Sequence, residues 1–472
     1  MNLPNLKEAR VRTDKTVEIK RDDYVIPDSV AGVGVNRHYC IYTYGCQMNV
    51  HDSENISAIM EEMGYSKCEE MDEADVVILN TCAIRENAHN KVMGMLGRIK
   101  HLKETKSEMI TVFCGCMAQE EGISLELKNQ YPWVDIVMGT HNIHKLPVYL
   151  SEVMEDRRQK MEVFSIEGDV IEGIPVKRDS KYKAWVNIMY GCDKFCTYCI
   201  VPYTRGKQRS RMPEDIIGEV EGLVKDGYLE VTLLGQNVNA YGKDLHIDYG
   251  MANLLEDMAK TGIPRVRFVT SHPWDFTEDM LEVISSYENI MPYIHLPLQS
   301  GSNEILKKMG RRYTREEYKG LFYRIKEMIP NCSITTDIIV GFPGESKQDF
   351  QETLDLVNEL QYDLAYTFIY SPREGTPASV MKDETSMEEK KKRLSELNEL
   401  INKYALMNNQ KYLGKEVMVL IEGVSEKKDK LMGYTDTMKL VNIDADSKYI
   451  GKIVKVKITE VKTWSLDGEV VE

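Results

Sequence analysis

The stretch GCDKFCTYCIVPYTRG, residues 191–206, sets three cysteines at Cys192, Cys196 and Cys199, a Cys-x3-Cys-x2-Cys spacing. Most cysteine-ligated metals take four protein ligands. A set that stops at three either borrows a fourth from elsewhere or leaves one coordination position open. The preceding KAWVNIMY reads as a strand, so the cysteines fall on the loop at its C-terminal end. Five more strand-like stretches follow with helical stretches between them: LEVTLLGQN, RVRFVTSHP, MPYIHLPLQ, SITTDIIVGFPG and LAYTFIYSP. Six βα units over residues 178–408 predict a partial α/β barrel, since a full eight-fold barrel takes about 250 residues. Such barrels keep their active sites at the C-terminal mouth, where this loop lies.

Upstream, residues 37–155 also alternate. HYCIYTYGC, DVVILNTC, MITVFCGC and WVDIVMGT read as strands, each followed by a helical stretch, and apolar strands alternating with helices predict a doubly wound parallel sheet. Residues 1–36 read as a polar N-terminal extension, with disorder the favoured state. The segment 387–412 reads as a closing helix whose charge run is a solvated face. Residues 411–472 consist of short strands between turn residues, the composition of a small antiparallel barrel of OB-like type. That barrel contains no Cys or His, so it offers no soft metal ligand.

The chain has 472 residues, with 42% hydrophobic and 29% charged side chains, as an ordinary globular protein of two or three domains has. The charged N-terminus is no secretory signal, and no apolar run reaches the roughly 18 residues that cross a membrane. Ten cysteines in such a chain point to metal or redox chemistry in the cytoplasm rather than to disulfides. A net charge of -15 argues against nucleic-acid binding when taken as an average. The segment 204–211, TRGKQRSR, nonetheless carries Arg205, Lys207, Arg209 and Arg211 with no acid. The last 65 residues balance 11 Lys against 11 acids. An RNA partner stays open on charge alone.

A second cysteine set shares one structural address. Cys46, Cys82 and Cys116 end the first, second and third strands, at intervals of 36 and 34 residues. Ligands of open α/β sheets bind beyond the carboxyl ends of the strands, so these thiols point to a metal centre there. Three buried core cysteines are the bland alternative. Cys114 lies on the same strand face as Cys116, and position at the strand end favours Cys116. Cys40, Cys68 and Cys332 read as structural. The 191–206 loop suits a 4Fe-4S cluster with one open iron, which can chelate S-adenosylmethionine for radical chemistry. Its alternative is a zinc site that borrows a ligand such as Cys332.

The motifs YGCQMNVHDSE, NTCAIRENA, GCMAQ, GCDKFCTYCIVPYTRG, LPLQSGS, TDIIVGFPGE and YSPREGTPA resemble those of the radical S-adenosylmethionine methylthiotransferases, specifically the MiaB group, over about residues 37–472. The resemblance implies an auxiliary 4Fe-4S cluster on Cys46, Cys82 and Cys116, a radical cluster on Cys192, Cys196 and Cys199, and a C-terminal TRAM domain that binds RNA. It implies insertion of a methylthio group at carbon 2 of N6-isopentenyladenosine, at position 37 in the anticodon stem-loop of tRNA. One S-adenosylmethionine supplies the methyl group and another the 5'-deoxyadenosyl radical. A low-potential electron donor such as flavodoxin or ferredoxin is implied, with a sulfur donor of unknown identity and a monomeric enzyme off the membrane. Gln236, Gln299, Ser300, Gly341 and Glu345 are candidate cofactor contacts. Related radical enzymes carry Gly-Gly-Glu where this chain has Gly235-Gln236-Asn237, which leaves the partner of the cofactor's amino group open. Arg205, Arg209 and Arg211 are candidates for the cofactor carboxylate or RNA phosphates. The rival readings are a sister enzyme acting on threonylcarbamoyl-adenosine or a ribosomal-protein aspartate, and a non-catalytic, metal-stabilised RNA-binding module.

Overall fold

Strands in the order Ser66–Lys67, His38–Thr43, Val76–Thr81, Ile110–Gly115, Ile136–Met138, Lys160–Glu162 form one six-stranded, all-parallel sheet in the computed structural model. The structure describes residues 3–5, 21–83, 86–164, 170–426 and 430–471. Helices Gln47–Glu62 and Leu146–Asp156 cover one face through Ile56, Ile59, Met60, Leu150 and Val153. The helix Glu86–Lys103 covers the other through Val92, Leu96 and Ile99. Sheets buried on both faces read as unbroken apolar runs, which is why Val76–Thr81 and Ile110–Gly115 are buried at every position. The order reverses between His38–Thr43 and Val76–Thr81, and such a switch point opens a ligand crevice at the carboxyl ends.

The four strands read from sequence in this domain all form. Two short edge strands, Ser66–Lys67 and Lys160–Glu162, were not legible because neither carries an apolar run. The first helix begins at Gln47, directly after Cys46. The N-terminal extension departs from the expected disorder where it is described. Residues 21–23 pair in parallel with Val170–Glu172, Val30 is buried, and Tyr24, Ile26 and Val33 pack on the sheet's core. The rest of that expectation falls mainly on residues 6–20, outside the described residues.

Six parallel strands form the partial barrel, in two sheets of three. Lys183–Asn187, Glu230–Leu234 and Arg265–Phe268 make the first, and Tyr293–His295, Ser333–Val340 and Leu364–Ile369 the second. The bridge Val266↔Ile290 joins them. All six sequence-derived strands are present.

The helix Met387–Gln410 closes the domain. Its charge run is not simply a solvated face: Lys390 and Arg393 are buried, with Arg393 paired to Glu345 at 2.7 Å and Lys390 to Asp383.

The last domain is a closed five-stranded barrel in the order Glu416–Val424, Leu431–Thr435, Leu440–Ile443, Leu466–Val470, Ile453–Val461. Val419, Ile421, Val441 and Val456 fill it. It docks against the N-terminal ends of the central strands. Arg265 donates to the carbonyls of Met418 and Tyr434 at 2.9 Å each. Lys183 pairs with Glu422 at 2.6 Å, and Lys439 with Asp363 at 3.1 Å. No described helix is long and apolar enough to cross a membrane.

Candidate active site between two cysteine sets

The loop after Lys183–Asn187 must fold back on itself to bring three thiols together, and glycine makes the turn. Gly191 has φ +73°, and a Cβ there would lie 2.0 Å from the Lys207 carbonyl oxygen. Its N–H donates to Gln236 Oε1, and Cys192 N–H donates to the Gly206 carbonyl at 3.1 Å. Phe195 adopts φ 48°, a left-handed conformation unusual for a bulky residue. Thr197 N–H then donates to the Met309 carbonyl, and Tyr198 sets its ring edge-on to Phe342. Burial pushes the Cys192 thiol up to about 12 and Cys199 higher still, with the neighbouring cysteines adding to the rise at both. Ionising them takes a positive partner at bonding distance, which iron supplies. Arg311, buried, donates to Cys196 Sγ at 3.5 Å.

Cys46 and Cys82 follow the two strands that flank the switch point, and Cys116 follows the next. Gly45 (φ +124°) brings the first two together: a Cβ there would lie 2.5 Å from Cys82 Cβ. Asn49 stands one helical turn beyond Cys46 and holds the crevice closed. Its amide nitrogen donates to the carbonyls of Tyr44 at 2.9 Å and Thr81 at 2.8 Å. Its Oδ1 lies 3.8 Å from Cys116 Sγ and 4.0 Å from Cys46 Sγ. Burial pushes Cys116 up to about 12; Arg205 pulls it down, while Cys82 and Cys46 push it up.

Cys114 and Cys116 do not share a face after all. The strand ends at Gly115, whose φ of +91° turns the chain. Cys114 is left inside the core among Ile56 and Val112, while Cys116 opens a 3-10 turn beyond the sheet.

Among the described residues no three His, Cys, Asp or Glu side chains close on a point as a single metal ion needs. Cys332 precedes the strand Ser333–Val340, at the end of the barrel remote from the cysteine loop, so it cannot complete a site there. Thiolates alone, three from each set, are the donor type of iron–sulfur clusters.

A single cavity of 1190 Å³ runs down the barrel, bordered by Cys46 and Cys82 from the first domain and Cys199 from the second. Thr270 (φ 69°) and Gln299 (φ 71°) line it, both left-handed without being glycine. Such strain collects at functional sites. Trp464 and Lys439 of the small barrel line its far end, so that barrel borders the cavity.

The remaining candidates separate. Gln236 supports the cysteine loop through Gly191, and Gln299 faces the cavity. Ser300 is fully buried, its hydroxyl accepting from Ser302 N–H at 3.2 Å, so it shapes a turn. Gly341 (φ 67°) donates its N–H to Glu345 Oε2 at 2.7 Å, and Arg393 clamps that carboxylate. Both belong to a structural turn and not to the cavity wall.

The three arginines do not form a basic surface. Arg205, Arg209 and Arg211 are 4%, 5% and, at the Arg211 side chain, 11% exposed. Arg211 pairs with Glu172 at 2.7 Å and Glu219 at 2.8 Å, Arg205 pairs with Asp52 at 2.6 Å, and Arg209 lies over the Tyr190 ring. No guanidinium faces solvent to meet a phosphate. A charge run in sequence is silent on whether a neighbouring domain covers it.

Asn49, Asp52, Thr270 and Arg311 were missed. Asn49 and Asp52 had a legible signal, since positions three and six after Cys46 return to one face of a helix; Arg311 had none.

A second seam between the domains lies at Glu120, beside Arg373 of the cavity wall. Burial raises Glu120 to about 7 from an ordinary 4.5, against the pull of Arg373 and with a push from Glu374. A carboxyl raised on folding gives stability that is present below 4.5 and is lost as pH climbs through 7. Glu120→Gln is therefore expected to raise the thermal midpoint at pH 8 and leave it unchanged at pH 4.5. An equal shift at both pH values contradicts this.

Comparison with known proteins follows the same division. Residues 186–357 match the Radical SAM superfamily, 38–139 an uncharacterized protein family, UPF0004, and 410–471 the TRAM domain. Three curated relatives are each called tRNA-2-methylthio-N(6)-dimethylallyladenosine synthase. The Staphylococcus haemolyticus protein is 54% identical over 98% of this chain and 91% of its own. Those of Bacillus subtilis and Shouchella clausii are each 54% identical over 99% of this chain, covering 92% and 90% of their own. Among solved structures, the radical S-adenosylmethionine methyltransferase TsrM from Kitasatospora setae, with cobalamin and a [4Fe-4S] cluster bound, superposes with a TM-score of 0.52. It is 15% identical over 73% of this chain and 77% of its own, a likeness of fold alone.

Proposed function

The chain belongs to the tRNA-2-methylthio-N(6)-dimethylallyladenosine synthase family, and from that premise we propose how its residues serve methylthiolation of tRNA. It is a radical S-adenosylmethionine enzyme that transfers a sulfur-containing group. The finer reading is insertion at carbon 2 of N6-isopentenyladenosine, at position 37 of the anticodon stem-loop, in the cytoplasm and by a monomer drawing electrons from a flavodoxin or ferredoxin. The carrying observation is the single cavity that both cysteine sets border.

Cys192, Cys196 and Cys199 would hold the radical cluster, and Cys46, Cys82 and Cys116 an auxiliary one. Bound there, the clusters and S-adenosylmethionine supply a 5'-deoxyadenosyl radical and a methylated sulfur, reagents that side chains cannot provide. The chain's own work is placement. The Gly191 turn and Gln236 fix the cysteine loop, while Gly45 and Asn49 fix the facing thiols. The cavity exceeds the roughly 300–1,000 Å³ of a single small-molecule pocket, leaving room for a cofactor beside an extruded nucleoside. Enzymes that act on a base take it out of its stack into such a pocket. Trp464 of the small barrel, 55% exposed, offers an aromatic stacking face at the far end of the cavity.

Nucleoside mass spectrometry of tRNA from cells with and without the protein tests the substrate. Loss of 2-methylthio-N6-isopentenyladenosine is expected in its absence; loss of a methylthiolated threonylcarbamoyl-adenosine in its place selects the sister activity. Two clusters also predict that replacing Cys192, Cys196 and Cys199 by Ala removes about half the iron of the reconstituted protein. Near-complete loss contradicts two independent centres.

A further inference from the structure

Arg205 belongs to the radical domain, yet its guanidinium lies among first-domain residues. It stands six positions after Cys199, at the end of the short helix Val201–Thr204, and is 4% exposed. Its Nε donates to Cys116 Sγ at 3.3 Å. Its Nη2 donates to Asn49 Oδ1 at 2.9 Å and to Asp52 Oδ2 at 2.6 Å. The surrounding seam is tight: Ile200 and Tyr203 pack on Ala83 and Cys116, and Thr140 Oγ1 donates to the Thr204 carbonyl at 2.7 Å. One segment, residues 192–205, thus carries the three radical-domain thiols and ends on a thiol of the other set.

We propose that Arg205 is a positioning residue of the first-domain centre: from the radical domain it fixes Cys116 and sets the reduction potential of the cluster that Cys46, Cys82 and Cys116 hold. The inference rests on the reading that these thiols hold a cluster. A buried positive charge donating to a ligand sulfur stabilises the more negative, reduced state and so raises the potential. Asp52 offsets part of that charge. The two residues therefore act in opposite directions, which a purely structural pair would not do.

The test uses the full chain carrying Cys192, Cys196 and Cys199 as Ala, reconstituted anaerobically with iron and sulfide, so that only the first-domain centre is read. Iron content is measured, and the potential is followed by electron paramagnetic resonance during a redox titration. Arg205→Gln is expected to shift the potential downward and Asp52→Asn upward, at unchanged iron content. If the parent binds no iron, the cluster reading falls and this inference with it. If the parent is loaded and both variants titrate with it, Arg205 has no such role although the centre stands. Should Arg205→Gln fail to hold iron, Asp52→Asn decides alone: an upward shift sustains the proposal and an unmoved potential overturns it.

Discussion

Replacing Cys46, Cys82 and Cys116 together by Ala is expected to leave reductive cleavage of S-adenosylmethionine running while abolishing methylthiolated tRNA. Replacing Cys192, Cys196 and Cys199 is expected to abolish both. The asymmetry follows from the architecture. The radical loop is fixed by its own domain, through the Gly191 turn, Gln236 and the Met309 carbonyl. It needs none of the first-domain thiols to close. Cys46 and Cys82 line the same cavity as Cys199, and the proposed function has the centre they belong to present sulfur to a carbon whose hydrogen has been removed. The measurement is anaerobic incubation with tRNA bearing isopentenyl-adenosine, a strong reductant and S-adenosylmethionine, with chromatography of 5'-deoxyadenosine and of the modified nucleoside. Methylthiolated product from the first triple variant would remove the auxiliary centre as sulfur carrier.

The second large effect is expected far from either cysteine set, at Glu230. This carboxylate is 1% exposed, accepts from Arg267 Nε at 3.0 Å, and lies 4.0 Å from Arg265. Arg265 in turn holds the small barrel through two backbone carbonyls. Glu230→Ala removes the carboxylate that two buried guanidinium groups share, leaving Arg265 only the weaker pull of Asp436 and Glu422. Breaking a buried ion pair from one side costs about 3–5 kcal/mol, and that loss is expected in denaturant unfolding of the central domain. The small barrel should loosen with it, seen as faster proteolysis between the closing helix and residue 416. A loss under about 1 kcal/mol would mean that water reaches the two arginines.

Much of this molecule was legible because period and position are local properties. Alternating apolar strands and helical stretches gave both α/β domains, and the short strands after 411 gave the closed barrel. The fall of Cys46, Cys82 and Cys116 at strand ends pointed to one crevice before the sheet order was known. Family resemblance added the substrate and the identity of the second centre as a 4Fe-4S cluster, which spacing alone did not carry.

Most of what the sequence misread has one cause: burial against a distant segment has no local signature. TRGKQRSR reads as a basic loop, and the first domain's Asp52, the linker's Glu172 and the radical domain's Glu219 turn it inward. Lys390 and Arg393 read as a solvated helix face until the VGFPGE turn covers them. Cys114 and Cys116 share a face by strand alternation, and the left-handed Gly115 ends the alternation between them. The sequence by itself singled out two cysteine sets as candidate ligands and the loops they sit on, because spacing and strand ends are written in the chain order. Only the tertiary structure decided that one cavity joins the two sets and that Arg205 spans the seam. Both depend on how three domains pack, through contacts between residues 64 to 156 positions apart, where the local pattern of each segment is silent.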